Sequence, residues 1–224
     1  MNIRMEDFKR ICVPFIGGLD KMGLGELDRT MEEHGAKFAV CECNWPEVAP
    51  YIPDCNGAIA RSESHLAIIF HVRGLDLRAT ALEDNGNSWE DSCCEFFVSD
   101  PEDGTYYNFE LTCIGSLLAS KRTSRTEKQD FTREQLSRVI RHSSLEHKRF
   151  DESGEIFCWT VAMLIPYDLA GLEGSRLPEW LKANFYKCGD LTAHPHFLSW
   201  NPVKVKDPDF HRPDFFGELF LENM

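Results

Sequence analysis

The chain has 224 residues, of which 42% are hydrophobic and 27% are charged, a composition typical of one globular domain of ordinary size. Its formal net charge of −13 argues against nucleic acid and anionic membrane surfaces as partners, because both carry charge of the same sign. No apolar run approaches the roughly 20 residues that a membrane-spanning helix requires, so we predict no membrane partner.

The nine cysteines favour a reducing compartment. The apolar stretch from Ile11 to Leu19 is interrupted by Pro14 and followed by Asp20, which makes it a poor secretory signal. In a chain without such a signal, an odd number of cysteines is typical of free thiols and not of a disulfide framework. We therefore predict a cytoplasmic protein.

Residues 1–35 are weakly patterned, and we predict an N-terminal extension with one short helix from Leu24 to His34. From there the pattern changes to short strands, and residues 36–224 are predicted to form a single domain. A capping-box pattern at Thr132–Gln135 predicts a second short helix. The predicted strands lie at 38–43, 65–73, 93–98, 106–113, 157–165, 183–188, 197–200 and 218–222. So many short strands with so little helix predict an all-β sandwich.

Two of these strands place acidic side chains on one face. In the strand at 106–113, apolar residues occupy every second position, so Asn108 and Glu110 point to the opposite side. The same alternation in the strand at 93–98 places Glu95 opposite Cys94 and Phe96. If the apolar sets face the core, then Glu95, Asn108 and Glu110 share the outer face.

Trp89 ends a polar turn immediately before the first of these strands. An indole ring offers a flat apolar face to the C–H groups of a sugar, and carboxylates accept hydrogen bonds from sugar hydroxyls. Trp89 beside a polar, acidic sheet face is therefore a candidate sugar site. Trp89 could instead plug the edge of the core.

Two sequence blocks carry a family resemblance. Trp89-Glu-Asp-Ser-Cys-Cys-Glu95 and Phe210-His-Arg-Pro-Asp-Phe-Phe-Gly217 resemble blocks of the family 9 carbohydrate-binding modules attached to xylanases, and of stand-alone family-9-like bacterial proteins. The resemblance extends over residues 36–222. Further matching blocks are Asn44-Trp-Pro46, Tyr106-Tyr-Asn-Phe-Glu110, Asn184–Asp190 and Pro195–Trp200.

The resemblance implies an immunoglobulin-like, jelly-roll-like antiparallel β-sandwich that holds the end of a xylan- or glucan-type chain between two aromatic rings. It makes Trp89 one wall and places Phe210, a smaller ring, where the xylanase modules have the second tryptophan. Glu95 would accept hydrogen bonds from hydroxyls, with Asp207 and His211 at the rim. Glu110 stands where those modules have a sugar-binding arginine, which implies the loss of a cationic donor.

The resemblance also implies that calcium is an option, because the xylanase modules hold calcium, and the residues themselves indicate no other cofactor. Cys188 with His194 and His196 outlines an incomplete zinc site that lacks a fourth ligand. Trp45, Trp159 and Trp200 are predicted to lie in the core.

The overall prediction is non-catalytic carbohydrate binding. The alternative is a glycoside hydrolase that uses Glu95 and Glu110 as its paired carboxylates. A third option is a sandwich that serves protein association, with Trp89 covered by the N-terminal segment. The glutamates could also be solvated or paired with Lys187, and the basic residues at 121–125 are expected to form a solvated loop.

Overall fold

A computed structural model describes residues 8–102 and 104–223. Fourteen strands form two sheets that face one another, and two short α-helices accompany them among the described residues. The helices are α1 (Leu24–His34) and α2 (Arg133–Ser137), and α2 begins with the predicted capping box at Thr132. The strands are β1 (Arg10–Val13), β2 (Ala36–Ala39), β3 (Glu42–Cys43), β4 (Asp54–Arg61), β5 (His65–Ala79), β6 (Cys93–Ser99), β7 (Tyr106–Thr112), β8 (Leu117–Arg122), β9 (Lys128–Asp130), β10 (Ile140–Ser143), β11 (Phe150–Pro166), β12 (Trp180–Cys188), β13 (Phe197–Ser199) and β14 (Gly217–Leu221).

The larger sheet has nine strands. Seven of them follow the order β1-β14-β12-β6-β7-β8-β9. In addition, β13 pairs with the last three residues of β12, and β3 pairs with β13. The smaller sheet has the order β10-β11-β5-β4-β2. Neighbouring strands run antiparallel except for β1 and β14, which run parallel. The all-β sandwich class predicted from the strand pattern is thus confirmed.

The main core lies between the two sheets, and strand alternation determines which side chains enter it. The predicted apolar face of β5, which includes Leu66, Ile68 and Phe70, packs against the larger sheet. The predicted apolar face of β7 does the same with Phe109 and Leu111. The opposite faces of the two sheets are also covered, each by a smaller cluster.

The segment that precedes the predicted domain packs on the sandwich. β1 pairs in register with β14, and α1 lies on the outer face of the smaller sheet. Leu27 and Met31, one helical turn apart, are fully buried there against Ala67 and Ile69 of β5. Residues 1–7 of the predicted extension lie outside the described residues.

The structure describes all nine cysteines, and each of them is a free thiol. Within residues 8–102 and 104–223, α1 is the longest helix, and neither helix has the length and apolarity needed to span a bilayer.

Candidate functional site

Glu95 and Glu110 lie side by side on the outer face of the larger sheet. They are register partners of β6 and β7, and Tyr186 of β12 is the partner of Glu95 on its other side. Both carboxyl groups are nearly fully buried. The predicted common face of Glu95, Asn108 and Glu110 is therefore present, but it forms a covered floor and is not open to solvent.

Aromatic residues from outside these strands cover the floor. The segment at 203–216 and Trp45 pack on Phe97, Tyr106 and Tyr186 and form the third hydrophobic cluster. Phe210 stacks on Tyr186 with ring centroids 4.1 Å apart, and the Tyr186 hydroxyl donates a hydrogen bond to the Phe210 carbonyl. Trp45 Nε1 donates to the carbonyl of Val205. These contacts hold the covering segment above the sheet.

A cavity of about 400 Å³ remains between the floor and its cover. That volume lies in the range usual for small-molecule pockets. Its aromatic lining consists of Trp45, Trp89, Phe197 and Phe210. The predicted walls Trp89 and Phe210 thus line one cavity, whereas Trp45, which was predicted to be core alone, is both buried and part of the lining.

Trp89 belongs to a short 3-10 turn at Ser88–Glu90, and its side chain is 37% exposed. The turn is held by Asp91, whose fully buried carboxylate accepts hydrogen bonds from the backbone N–H groups of Thr80 and Ala81 and pairs with Arg78. The Trp89 carbonyl accepts a hydrogen bond from the Asp190 amide, 3.1 Å away. The indole is therefore presented to the cavity from a backbone fixed on both sides.

Glu110 is part of a buried polar network. Asn108 Nδ2 donates to Glu110 Oε1 at 2.8 Å, and Asn108 Oδ1 accepts from Ser120 Oγ at 2.6 Å and from Arg122 Nε at 2.8 Å. Glu110 Oε2 has no hydrogen-bond partner among the described residues. Burial raises the pKa of Glu110 to about 7, against the opposing effects of Arg122 and Asn108. Asn108 thus positions Glu110 and Arg122 and does not itself line the cavity.

Glu95 has a different partner. The thiol of Cys188 donates a hydrogen bond to Glu95 Oε1 at 2.9 Å. Burial, followed by the proximity of Cys188 and Glu110, raises the pKa of Glu95 well above its ordinary value. Lys187, considered as an ionic partner for the glutamates, points to the opposite face of β12, where its Nζ contacts His196 Nε2 at 2.8 Å. The alternative of solvated glutamates, or of glutamates paired with Lys187, therefore does not hold.

Basic residues line one part of the cavity. Arg122, at the end of β8, is buried, and Arg125 and Lys128 follow it. Arg125 lies 3.6 Å from Asp209, which is itself in the lining. The expectation of a solvated loop at 121–125 is therefore wrong for Arg122, because β8 continues the sheet through that residue. Arg122 thus places a cation in the same cavity lining as Glu110.

The remaining predicted residues are placed as follows. Asp207 is exposed and does not line the cavity. The next two residues, Pro208 and Asp209, do line it. His211 lines the cavity, and its Nδ1 lies 3.1 Å from the Tyr106 hydroxyl. Burial, together with Arg122 and other nearby cations, lowers the pKa of His211 to about 3, so this imidazole is neutral at physiological pH.

One group of metal-type ligands occurs in the described part of the chain, and it consists of Cys93, Glu95 and Cys188. Two thiols and one carboxylate do not suit calcium, which prefers six to eight oxygen ligands. His194, which the sequence grouped with Cys188, pairs with Asp76 instead.

Comparison with known proteins establishes the family. The model for carbohydrate-binding family 9 matches residues 26–221. The chain belongs to carbohydrate-binding family 9. It is 33% identical to a candidate carbohydrate-binding protein from Bacteroides uniformis ATCC 8492, with a TM-score of 0.88 over 96% of this chain and 100% of the other.

More distant members of family 9 share the fold. Two structures of a module from Caldicellulosiruptor kristjanssonii, one in complex with glucose and one with cellotriose, are each 14% identical to this chain. The match to the glucose complex has a TM-score of 0.55 and covers 96% of this chain and 97% of the module. The match to the cellotriose complex has a TM-score of 0.52 and covers 96% of this chain and 95% of the module. No curated protein matches the chain.

Proposed function

We propose that this family 9 protein is a non-catalytic carbohydrate-binding protein whose ligand, the end of a xylan- or glucan-type chain, occupies the cavity beneath Trp89 and Phe210. The single observation that carries the proposal is a preformed cavity that combines aromatic lining with a buried carboxylate oxygen that has no hydrogen-bond partner within residues 8–102 and 104–223. Family membership and the glucose and cellotriose complexes of the related module support it.

The roles of the residues follow from their chemistry. Trp89 and Phe210 would cover the C–H faces of a sugar, and Glu110 Oε2 would accept a hydrogen bond from a hydroxyl. Arg122 and the partly exposed Asp209 offer a donor and an acceptor at the side. Covering about 60–100 Å² of one aromatic face contributes about 2 kcal/mol, so an affinity in the micromolar to millimolar range is expected.

The first test removes one wall. Trp89→Ala is expected to weaken binding of xylo- or cello-oligosaccharides by about 10–30-fold in calorimetry, because about 2 kcal/mol of apolar contact is lost. Trp180→Ala is the matched control, since Trp180 stacks on Phe220 and is absent from the cavity lining. Equal affinity of Trp89→Ala and wild type, or no binding of any sugar on a broad glycan array, would contradict the proposal.

A glycosidase is the alternative, and two buried carboxyl groups with raised pKa are its best support. Against it, one oxygen of each carboxyl group is already engaged within the protein, Glu95 Oε1 by the Cys188 thiol and Glu110 Oε1 by Asn108 Nδ2. Incubation of the wild-type protein with xylo- and cello-oligosaccharides is expected to leave their chain lengths unchanged in chromatography. Shortened products that disappear in Glu110→Gln would favour the enzyme.

A further inference from the structure

The floor of the cavity contains a cluster of sulfur and oxygen ligands that sugar binding does not require. Cys93 of β6 and Cys188 of β12 are direct register partners, and Glu95 follows Cys93 by two residues on the same face. The two Sγ atoms and a Glu95 carboxylate oxygen all lie within 4.8 Å of one another. All three residues are at most 3% exposed.

The protonated cluster is held by weak contacts. The Cys188 thiol donates to Glu95 Oε1, and the Cys93 thiol contacts the Cys94 carbonyl at 3.7 Å. Burial raises the pKa of Cys93 to about 12, and the neighbouring Cys93 together with burial raises that of Cys188 well above its ordinary value. Lys187, the nearest residue along β12 that could offer positive charge, faces the other side of the sheet. Lys187 therefore does not pair with the three ligands, and the basic residues of the cavity lining are Arg122, Arg125 and Lys128.

We propose that Cys93, Glu95 and Cys188 bind one thiophilic divalent ion of the zinc class at the floor of the cavity. Cysteine thiolates select zinc over calcium and magnesium, and three protein ligands leave one tetrahedral position open. Glu95 and Cys188 both line the cavity, so the open position faces it and is filled by water. The cluster is thus a three-ligand site and not a closed structural one.

The present spacing is close to what such an ion needs. With Zn–S bonds of about 2.3 Å, neighbouring ligand atoms of a tetrahedral site lie about 3.8 Å apart. The three ligand atoms lie within 4.8 Å of one another and the Cys188–Glu95 pair is 2.9 Å apart, so each distance is within about 1 Å of the tetrahedral spacing. Each protonated ligand releases its proton to solvent as the ion binds, so affinity rises with pH.

The test is a titration of the full-length protein with Cd²⁺ in the absence of sugar and in the presence of a reductant that does not chelate metals. The titration uses the Cys41→Ser variant, so that the closely spaced thiols at 41 and 43 do not bind Cd²⁺ as a pair. We expect ultraviolet charge-transfer absorption from cadmium–thiolate bonds that saturates at one ion per chain and is abolished by excess Zn²⁺.

Single substitutions locate the site. Cys93→Ser and Cys188→Ser are each expected to weaken Cd²⁺ binding by more than the roughly 10–100-fold that loss of an outer-shell contact costs. Cys158→Ser is the matched control, because Cys158 is exposed on β11 of the other sheet. If a serine variant does not fold, as judged by circular dichroism, Glu95→Gln takes its place and is expected to lower Cd²⁺ affinity by at least about 10-fold.

Two results would overturn the metal site. One is the absence of charge-transfer absorption in the wild type, and the other is a Cd²⁺ affinity in Cys188→Ser or Glu95→Gln equal to that of the wild type. A parallel sugar titration of chelator-treated protein keeps the two proposals separate. It tests sugar binding without metal, whereas the Cd²⁺ titration tests metal binding without sugar, so either proposal can fail alone.

Discussion

At the residue scale, Glu110 is the group whose state decides the chemistry of the cavity floor. One of its oxygens is held by Asn108, and the other has no partner among the described residues. An unsatisfied buried acceptor costs about 1–3 kcal/mol. A bound hydroxyl that donates to Glu110 Oε2 removes this cost, so the same atom destabilises the free protein and favours the complex.

The raised pKa of Glu110 predicts a pH dependence of stability. Its pKa rises from 4.5 to about 7 on folding, so the folded state holds the proton more tightly than the unfolded state. This contribution to stability is fully present below the unfolded pKa and is lost as pH rises through the folded pKa. Urea unfolding of wild type and Glu110→Gln at about pH 5 and about pH 8 measures it. The wild type is expected to lose more stability over this interval than the variant.

The difference between the wild type and Glu110→Gln measures the contribution of Glu110 apart from that of other titrating groups. Glu95 and Asp190 also have raised pKa values, and both remain in the variant. An equal change in the free energy of unfolding for both proteins would show that Glu110 is ionised to the same extent in the folded and unfolded states.

The position of Arg122 on the cavity face could have been predicted from the sequence, but it was not. Extending the register of β7 across the turn at Gly115 pairs Glu110 with Leu118, Asn108 with Ser120 and Tyr106 with Arg122. The alternation of β8 therefore contained the signal that Arg122 shares the face of Glu110. Treating the stretch from residue 121 as a loop concealed it.

At the element scale, the turn that carries Trp89 depends on one carboxylate. Asp91 is fully buried and accepts hydrogen bonds from two backbone amides at the end of β5 as well as from Thr80 Oγ1. It therefore joins the strand that forms the core to the turn that forms a cavity wall.

Asp91→Asn is expected to lower the free energy of unfolding by about 3–5 kcal/mol, because the largely buried Arg78 side chain loses its ionic partner, the fully buried Asp91 carboxylate. Sugar affinity is expected to fall as well, because the turn at Trp89 loses its anchor. Chemical denaturation and calorimetry measure the two effects. Asp168→Asn is the control, since its ion pair with Arg138 is exposed and contributes about 0–1 kcal/mol. Similar losses in both variants would argue against the anchoring role.

The elements that complete the cavity were not accessible to local patterns. Trp45 and Phe197 come from different parts of the chain. They meet only because β3 pairs with β13 and β13 pairs with the end of β12. Such packing results from long-range pairing, whereas alternation reports only on the strand that contains it. Alternation therefore predicted strands such as β5, β6 and β7 with their buried faces, whereas the cover of the cavity and the strands β1, β4, β8, β9 and β10 were not predicted.

At the scale of the whole molecule, both faces of the smaller sheet are covered. One packs against the larger sheet, and α1 covers the other through Leu27 and Met31. The helix from Leu24 to His34 was predicted from sequence, but its contact with the sheet was not. Ala67 and Ile69 lie on the face of β5 opposite Leu66, Ile68 and Phe70, so both faces of this strand are apolar.

Met31→Ala tests whether α1 is an integral part of the sandwich. Loss of this fully buried side chain is expected to cost about 2–5 kcal/mol in the free energy of unfolding, through lost burial and the cavity left behind. Glu33→Ala on the exposed side of the same helix is expected to change stability by less than about 0.5 kcal/mol. Thermal and urea unfolding measure both. Equal small effects would mean that α1 is dispensable for the sandwich.

The parallel pairing of β1 with β14 has a consequence for the order of events during folding. Arg10 and Glu218, 208 residues apart in sequence, are joined by a hydrogen bond, and β14 separates β1 from the rest of the larger sheet. During synthesis, β1 therefore has no partner in the larger sheet until β14 has also emerged. Contacts of such high sequence separation slow folding, because a long loop must close before they form. Of the fourteen strands that the structure describes, β1 is made first and is among the last to be placed.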